Sequence, residues 1–85
     1  MSVNSSDAAS VSVPDLGSDR VRVGQWLIEP GVKVASGDRL VELLAGSVLV
    51  HLTSAISGRL ARIERPTGST VFTNTVLAWI EPESP

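Results

Sequence analysis

The sequence predicts an all-β fold, a flattened β-barrel made of two small sheets, and three observations lead to this prediction. Valine dominates the apolar residues, which favours strands. Short apolar runs such as VSV, VRV and VLVHL are interrupted every few residues by Gly, Pro, Ser, Asp or Asn, so a helical period of about 3.6 residues is not sustained. The chain has 85 residues, which is enough for one domain with one small core.

The strands of the first half follow one another between turn-forming residues. The first is expected at residues 11–13, where two valines flank a serine, and the second at 20–28, which contains the VRV run. Apolar runs at 39–45 and 48–53 flank the pair Gly46-Ser47. A glycine followed by a small polar residue between two such runs predicts a β-hairpin.

The second half repeats this arrangement. Two further strands are expected at 57–63 and 76–81, with brief extended segments around Val34 and Val71. Five positions recur 37 residues further along the chain: Gly31, Val34, Gly37, Leu40 and Leu43 correspond to Gly68, Val71, Asn74, Leu77 and Ile80. Glycine and asparagine suit turns with positive φ, and the apolar members suit a core. The repeat therefore predicts two similar halves with quasi-twofold symmetry.

Charge and composition argue against several classes of function. The net charge is −2 and the seven basic residues are scattered, which argues against a nucleic-acid-binding surface and a polybasic membrane-binding patch. The chain has no cysteine, so disulfides and thiolate metal sites are excluded. Residues 1–10 are polar and lack the apolar segment of a secretory signal, so we expect a disordered tail and a cytoplasmic protein. Residues 83–85 are expected to be a tail or the start of a linker.

Four segments of the sequence resemble one protein family in their order and spacing. They are VPDLG from Val13, PGVKVASGDRL from Pro30 to Leu40, SAISGRLARI from Ser54 to Ile63, and GSTVFTNTVLAWIE from Gly68 to Glu81. Over residues 11–82 the chain is similar to the lipoyl domain of 2-oxoacid dehydrogenase acyltransferases, within the biotin/lipoyl-attachment family. This resemblance implies a lipoyl/biotinyl-like domain with the barrel-sandwich hybrid fold, in which a pseudo-twofold axis relates two sheets.

The resemblance also directs attention to the predicted hairpin. In this family the cofactor is attached to a lysine at the hairpin tip, usually within an Asp-Lys-Ala or Met-Lys-Met triplet, because lipoate and biotin form an amide with a primary amine. The corresponding residues here are Gly46, Ser47 and Val48, and the single lysine, Lys33, lies in another loop. We therefore expect no lipoyl or biotin cofactor and no enzymatic activity. The expected role is a protein-interaction or scaffold module linked to a 2-oxoacid dehydrogenase or biotin-dependent complex.

Other interpretations of these residues are open. Gly46-Ser47 suits a simple two-residue hairpin turn of type I′ or II′. A carrier domain could hold its cargo unconventionally on Ser47 or Lys33. A hydrolase could use Ser47 and His51 with Asp38, but the serine and the histidine lie four residues apart on one strand, and no oxyanion hole is suggested. The single histidine has no second ligand at a suitable spacing, so no metal site is expected.

The predicted turn fixes which residues of the hairpin face each other, because opposed residues share one face of the sheet. The inner face is expected to hold Val41, Leu43, Ala45, Val48, Val50 and Leu52. Leu44 and Leu49 then point outward together, and His51 faces Glu42. In lipoyl domains the corresponding outer positions are commonly acidic or hydroxylated. Leu44 and Leu49, with Ser47 and His51, are therefore candidate contacts for a protein partner or for a second copy in a weak homo-oligomer. The alternative is chance exposure, because scattered apolar residues are common on protein surfaces.

The two tryptophans are predicted to differ in their surroundings. Trp79 occupies the outward position that corresponds, through the repeat, to Glu42, which makes it a further candidate partner contact. Trp26 corresponds to Ile63 and is expected to pack partly into the core.

Overall fold

Eight β-strands form two antiparallel four-stranded sheets in the computed structural model, which describes residues 8–18 and 20–83. The strands are β1 (Ala9–Ser12), β2 (Val21–Trp26), β3 (Lys33–Val34), β4 (Arg39–Ala45), β5 (Val48–Thr53), β6 (Gly58–Ile63), β7 (Thr70–Val71) and β8 (Val76–Pro82). Sheet A has the strand order β1-β8-β6-β3, and sheet B has the order β5-β4-β2-β7. The described residues contain no helix, so the predicted all-β fold of two small sheets is confirmed.

The sequence repeat underlies the two sheets. Strands β2, β3 and β4 recur as β6, β7 and β8, each 37 residues later and with the same length. Strand β5 takes the place in sheet B that β1 takes in sheet A. The irregularities recur as well, because the β2–β4 register shifts between Val23 and Trp26 and the β6–β8 register shifts between Leu60 and Arg62. The predicted quasi-twofold relation is therefore present in strand order, register and bulges.

The core lies between the sheets and is built from the apolar positions of the repeat. Leu40, Leu43, Leu77 and Ile80 have almost no exposed surface, and neither does Val71. Residues from both sheets join in one buried cluster, whose members are Val13, Val21, Val23, Val34, Leu40, Val41, Leu43, Ala45, Val71, Leu77 and Ile80. Trp26 packs partly against this cluster, as predicted, and its indole N–H donates to the backbone oxygen of Arg65 at 2.8 Å.

Two equivalent turns begin the buried strands β4 and β8. Gly37 has φ of 94° and Asn74 has φ of 71°, so both adopt the left-handed conformation that the repeat predicts. The backbone N–H of Gly37 donates to Ser54 O at 2.7 Å, and that of Asn74 donates to Val13 O at 2.8 Å. In both turns the acceptor is therefore the residue that directly follows an edge strand, β5 in one sheet and β1 in the other.

The first strand begins earlier than the sequence predicts. Ala9 lies opposite Ile80 and Ser10 opposite Trp79, so residues 9 and 10 belong to β1 although they were predicted to be part of a disordered tail. The reason is that their strand conformation comes from hydrogen bonding to β8, which a polar local sequence does not reveal. Residues 1–7 of that predicted tail lie outside the described residues, and so do 84 and 85 of the predicted C-terminal segment.

Candidate docking surface at the β4–β5 hairpin

The β4–β5 hairpin has the register that a turn at Gly46-Ser47 requires. Ala45 lies opposite Val48, Leu44 opposite Leu49, Leu43 opposite Val50, and Glu42 opposite His51. Gly46 has φ of 63°, whereas Ser47 is not among the residues with positive φ. Positive φ at only the first central position is the pattern of a type II′ turn. Of the two predicted turn types, the structure therefore favours II′ over I′.

The inner face of the hairpin is covered by the core along most of its length. Val41, Leu43 and Ala45 are buried, and Val50 and Leu52 are half-buried. Val48 differs, since its side chain is 58% exposed although it was predicted to lie on the inner face with the others. It is the first residue after the turn, and it belongs neither to the buried cluster nor to the partly buried side chains packed against that cluster.

The outer face of the hairpin presents apolar side chains, as predicted. Leu44 and Leu49 face each other across the strands and are 39% and 50% exposed. Together with Val48 they surround the turn, and we call Leu44, Val48 and Leu49 the tip cluster. The turn itself adds one hydroxyl and no amine, because its residues are Gly46 and Ser47.

The three side chains of the possible hydrolase triad are not brought together. His51 Nε2 lies 3.1 Å from Glu42 Oε2, so the histidine pairs with the carboxylate across the strands, as predicted. Asp38 Oδ2 accepts a hydrogen bond from the backbone N–H of Ala35 at 2.8 Å and thereby closes its own loop. Ser47 lies in the turn, four residues and about 13 Å along the strand from His51.

Trp79 lies in sheet A, away from the hairpin, and is half-buried. Its indole N–H donates to Glu64 Oε2 at 2.9 Å, and Arg62 Nη2 donates to the same oxygen at 2.8 Å. The hydrogen bond from Trp79 is the main cause that lowers the pKa of Glu64, and Arg62 and Arg65 act in the same direction against the opposing effect of partial burial. Trp79 therefore contacts the residue that directly follows β6 of its own sheet, and it does not lie beside the tip cluster.

Lys33 is the first residue of β3 and is exposed. It lies opposite Arg59 on sheet A, so it also lies apart from the hairpin. Among the described residues no group of three or more His, Asp or Glu side chains is close enough to hold a metal ion, and no helix is long and apolar enough to cross a membrane.

The sequence interpretation missed a depression beside the tip cluster. It has a volume of about 430 Å³ and is lined by Arg20, Val21, Arg22, Leu44, Gly46 and Thr70. It forms because β2 pairs with β4 on one side and with β7 on the other, which places Arg22 between Leu44 and Thr70. The alternation of VRV predicts that Arg22 points outward, but only the strand order brings it beside Leu44.

Two curated relatives match most of the chain. Both are dihydrolipoyllysine-residue succinyltransferase components of a 2-oxoglutarate dehydrogenase complex. The protein from Bacillus subtilis (strain 168) is 34% identical over 74 residues, and the protein from Bartonella vinsonii subsp. berkhoffii is 36% identical over 73 residues. These matches cover 85% and 84% of this chain but 18% of each relative. The chain thus corresponds to a small part of these larger proteins.

A solved structure and a family profile give the same assignment. The structure of a single-chain, multi-domain long-chain acyl-CoA carboxylase covers 100% of this chain and 8% of its own, with a TM-score of 0.79 and 16% identity, which shows a shared fold. The profile of the biotin/lipoyl family, described as biotin-requiring enzyme, matches residues 9–80. The match begins at the first residue of β1 and ends within β8. The chain therefore belongs to the biotin/lipoyl-attachment family.

Proposed function

We propose that this domain carries no lipoyl or biotinyl group and acts as a non-catalytic module that binds a protein partner through the surface around its β4–β5 hairpin. The setting we propose is a 2-oxoacid dehydrogenase or biotin-dependent complex, since the two relatives are named as components of one such complex. The observation that carries the proposal is the composition of the tip, where a turn without an amine is surrounded by exposed apolar side chains.

The residues at the tip do not fit the attachment chemistry of the family. Lipoate and biotin are held through an amide, which requires a primary amine, whereas the hydroxyl of Ser47 could form only an ester. The single amine-bearing side chain, Lys33, lies in the two-residue strand β3 of the other sheet. A ligase that recognises a lysine projecting from a hairpin turn has no such residue in this chain.

The tip cluster is better suited to a protein contact than to a solvated carrier arm. Each of its three side chains, Leu44, Val48 and Leu49, is exposed by more than a third. Removing apolar surface from water contributes about 25 cal/mol per Å², so even a small cluster adds to binding when a partner covers it. A swinging arm gains nothing from such a surface, because the arm must leave it to move.

The first experiment tests whether the domain is modified. We expect the intact mass of the protein to remain unmodified after coexpression with lipoate and biotin ligases and supply of their cofactors. A lipoyl or biotinyl adduct, on Ser47 or on Lys33, would contradict the proposal. The matched control is Ser47→Lys, which retains Gly46 because the first position of the turn has positive φ.

The control has its own expected result. Ser47→Lys restores a projecting amine on an otherwise unchanged hairpin, so we expect partial lipoylation at position 47 while Lys33 in the same molecule stays free. Peptide mapping distinguishes the two lysines. A folded control without any label would show that the ligases do not recognise this scaffold. The unmodified mass of the wild type would then no longer show that the missing amine prevents modification.

The second experiment tests the tip cluster. The double variant Leu44→Glu with Leu49→Thr is expected to remain folded and to lose partner binding or self-association, measured by quantitative pull-down and analytical ultracentrifugation. The matched control is Phe72→Ser, because Phe72 is a 64% exposed apolar residue outside the hairpin. Binding that survives the double variant, or that is lost equally in the control, would exclude the tip cluster as the contact.

A further inference from the structure

The quasi-twofold relation places a second depression on sheet A. It has a volume of about 240 Å³ and is lined by Lys33, Gly58, Arg59, Glu81, Pro82 and Glu83. Five of these six residues lie 37 positions after or before a residue of the depression on sheet B, with Arg59 equivalent to Arg22 and Glu81 equivalent to Leu44. We call the two features the sheet A depression and the sheet B depression. The molecule therefore contains two versions of one surface.

The two depressions differ in charge. In sheet A, Arg59 lies between Lys33 and Glu81, and Glu83 adds a second carboxylate, so cations and carboxylates balance. In sheet B, Arg20 and Arg22 are both cationic, and none of the described residues that line the depression is acidic. The protein as a whole has a net charge of −2, so this concentration of positive charge is a local property.

The position that supplies a carboxylate to sheet A is apolar in sheet B. Arg59 faces Glu81 across the strands, whereas the equivalent Arg22 faces Leu44. The ion pairs among the described residues are Glu42 with His51 and Arg62 with Glu64, and neither includes Arg20 or Arg22. A guanidinium group forms its strongest hydrogen bonds with a carboxylate held in a bidentate geometry.

We propose that the sheet B depression binds an extended acidic segment of a partner protein, with carboxylates on Arg20 and Arg22 and an apolar side chain on Leu44. Arg20 and Arg22 are two residues apart and line the same depression. In an extended chain such residues lie about 6.6 Å apart on one face, which matches the spacing of acidic side chains at alternate positions of an extended peptide. The inference rests on the proposed function and names the chemistry of its partner.

The same features favour a peptide over a nucleic acid. The remaining basic residues are scattered, so a phosphate backbone would meet only two of the seven cations at this site. Leu44 and the neighbouring Leu49 form an apolar border that an acidic and apolar peptide covers and a phosphate backbone does not. Charge complementarity and this border together define the partner as an acidic segment with interspersed apolar residues.

The first test uses a short synthetic peptide in which glutamate alternates with leucine, titrated into the isotope-labelled protein and followed by NMR. We expect shifts of the backbone amides of Arg22, Leu44 and Thr70, while the equivalent amides of Arg59, Glu81 and Lys33 stay unchanged. Binding is expected to weaken as ionic strength rises, because the site is exposed. No binding, or equal shifts in both depressions, would overturn the inference.

Matched variants separate the site from general charge effects. Arg22→Glu is expected to weaken peptide binding about tenfold, whereas Arg59→Glu, which changes the net charge equally, is expected to change it by about twofold or less. Replacing the glutamates of the peptide by glutamine should abolish binding. Equal losses from the two variants would overturn the inference, and so would oligodeoxythymidylate binding more tightly than the peptide at the same amides.

Failure of this inference is distinguishable from failure of the proposed function. The intact mass of each NMR sample is measured beside the titration. If the protein is unmodified and does not bind the peptide, the inference of an acidic partner segment is overturned, whereas the proposed non-carrier role is unaffected. A lipoyl or biotinyl adduct overturns the non-carrier role, whatever the peptide does.

Discussion

Sheets A and B share one internal pattern and differ in what they expose. Their buried faces use equivalent positions, such as Leu43 in one and Ile80 in the other, and their strands have equivalent order. Their outer faces have diverged: Arg59 faces Glu81 on sheet A, whereas Arg22 faces Leu44 on sheet B. The repeat therefore specifies the core, while each outer surface is free to acquire its own chemistry, because exposed substitutions cost little stability.

The difference extends to one position where the backbones themselves approach. At Gly58 an added Cβ would overlap the backbone oxygen of Glu81, which no side chain can tolerate. The equivalent residue of sheet B is Val21, which carries a buried side chain. The two sheets thus reach similar architectures with different local spacing between neighbouring strands.

A large effect is therefore expected from Gly58→Ala. The new methyl group must displace the backbone of β8, so we expect a loss of about 3 kcal/mol in the free energy of unfolding, measured by chemical denaturation. The matched control is Gly24→Ala, where the nearest atom, Glu42 O, lies 3.1 Å from the added Cβ, and the equivalent residue is already Ala61. The control should lose only about 1 kcal/mol. Equal losses would show that the spacing at Gly58 is not special.

Equivalent core positions should respond alike. Leu43→Ala and Ile80→Ala each remove a side chain that has almost no exposed surface, so each is expected to cost about 3 kcal/mol of unfolding free energy. Leu44→Ala, one residue along the same strand but outward, is expected to cost about 0.5 kcal/mol. Thermal or denaturant unfolding measures all three. A large loss at Leu44 would mean that the outer face of the hairpin is packed rather than exposed.

The carboxylate of Glu64 gives sheet A a pH dependence of its own. Its pKa is lowered in the folded protein, so the stability that it contributes is present above its ordinary value of 4.5 and is lost as the pH falls through the lowered value. Trp79→Phe removes the main cause. We expect NMR titration to show a higher pKa for Glu64 in this variant. We also expect the loss in unfolding free energy relative to wild type to become smaller as the pH is lowered from about 7 to about 3.

Trp26→Phe is the control for this titration. The indole of Trp26 donates to a backbone oxygen, that of Arg65, which does not titrate. Its loss should therefore cost the same stability at both pH values. If the stability loss of Trp26→Phe depended on pH as strongly as that of Trp79→Phe, the proposed role of the Trp79–Glu64 hydrogen bond would be contradicted.

The smallest effect is expected at the two equivalent turns. Asn74→Gly introduces glycine, which the equivalent turn already has at position 37 and which also accepts positive φ. The free energy of unfolding should therefore change by about 0.5 kcal/mol or less. Asn74→Ala places a residue that disfavours this conformation there and should cost about 1 kcal/mol. Denaturant unfolding separates the two variants. An alanine variant as stable as the glycine variant would indicate that the turn relaxes to negative φ.

Local patterns in the sequence predicted much of the fold and part of the candidate site. The alternation of apolar residues located the strands, and the 37-residue repeat identified the buried positions, because both depend on neighbouring or regularly spaced residues. The two-residue connection at Gly46-Ser47 fixed the register of the hairpin and hence the outward direction of Leu44 and Leu49. A one-residue shift would have moved every side chain to the opposite face.

Tertiary structure alone decided what depends on which strands become neighbours. Ala9 and Ser10 form a strand because β8 pairs with them, and Val48 is exposed because it lies outside the cluster that is buried between the sheets. Arg22 meets Leu44 and Thr70 because β2 lies between β4 and β7. These residues are distant in the sequence, so no periodicity records their contact. The sequence by itself determined the core, the hairpin register and the strands apart from the start of β1, and long-range strand pairing determined that start and the surface that the strands display.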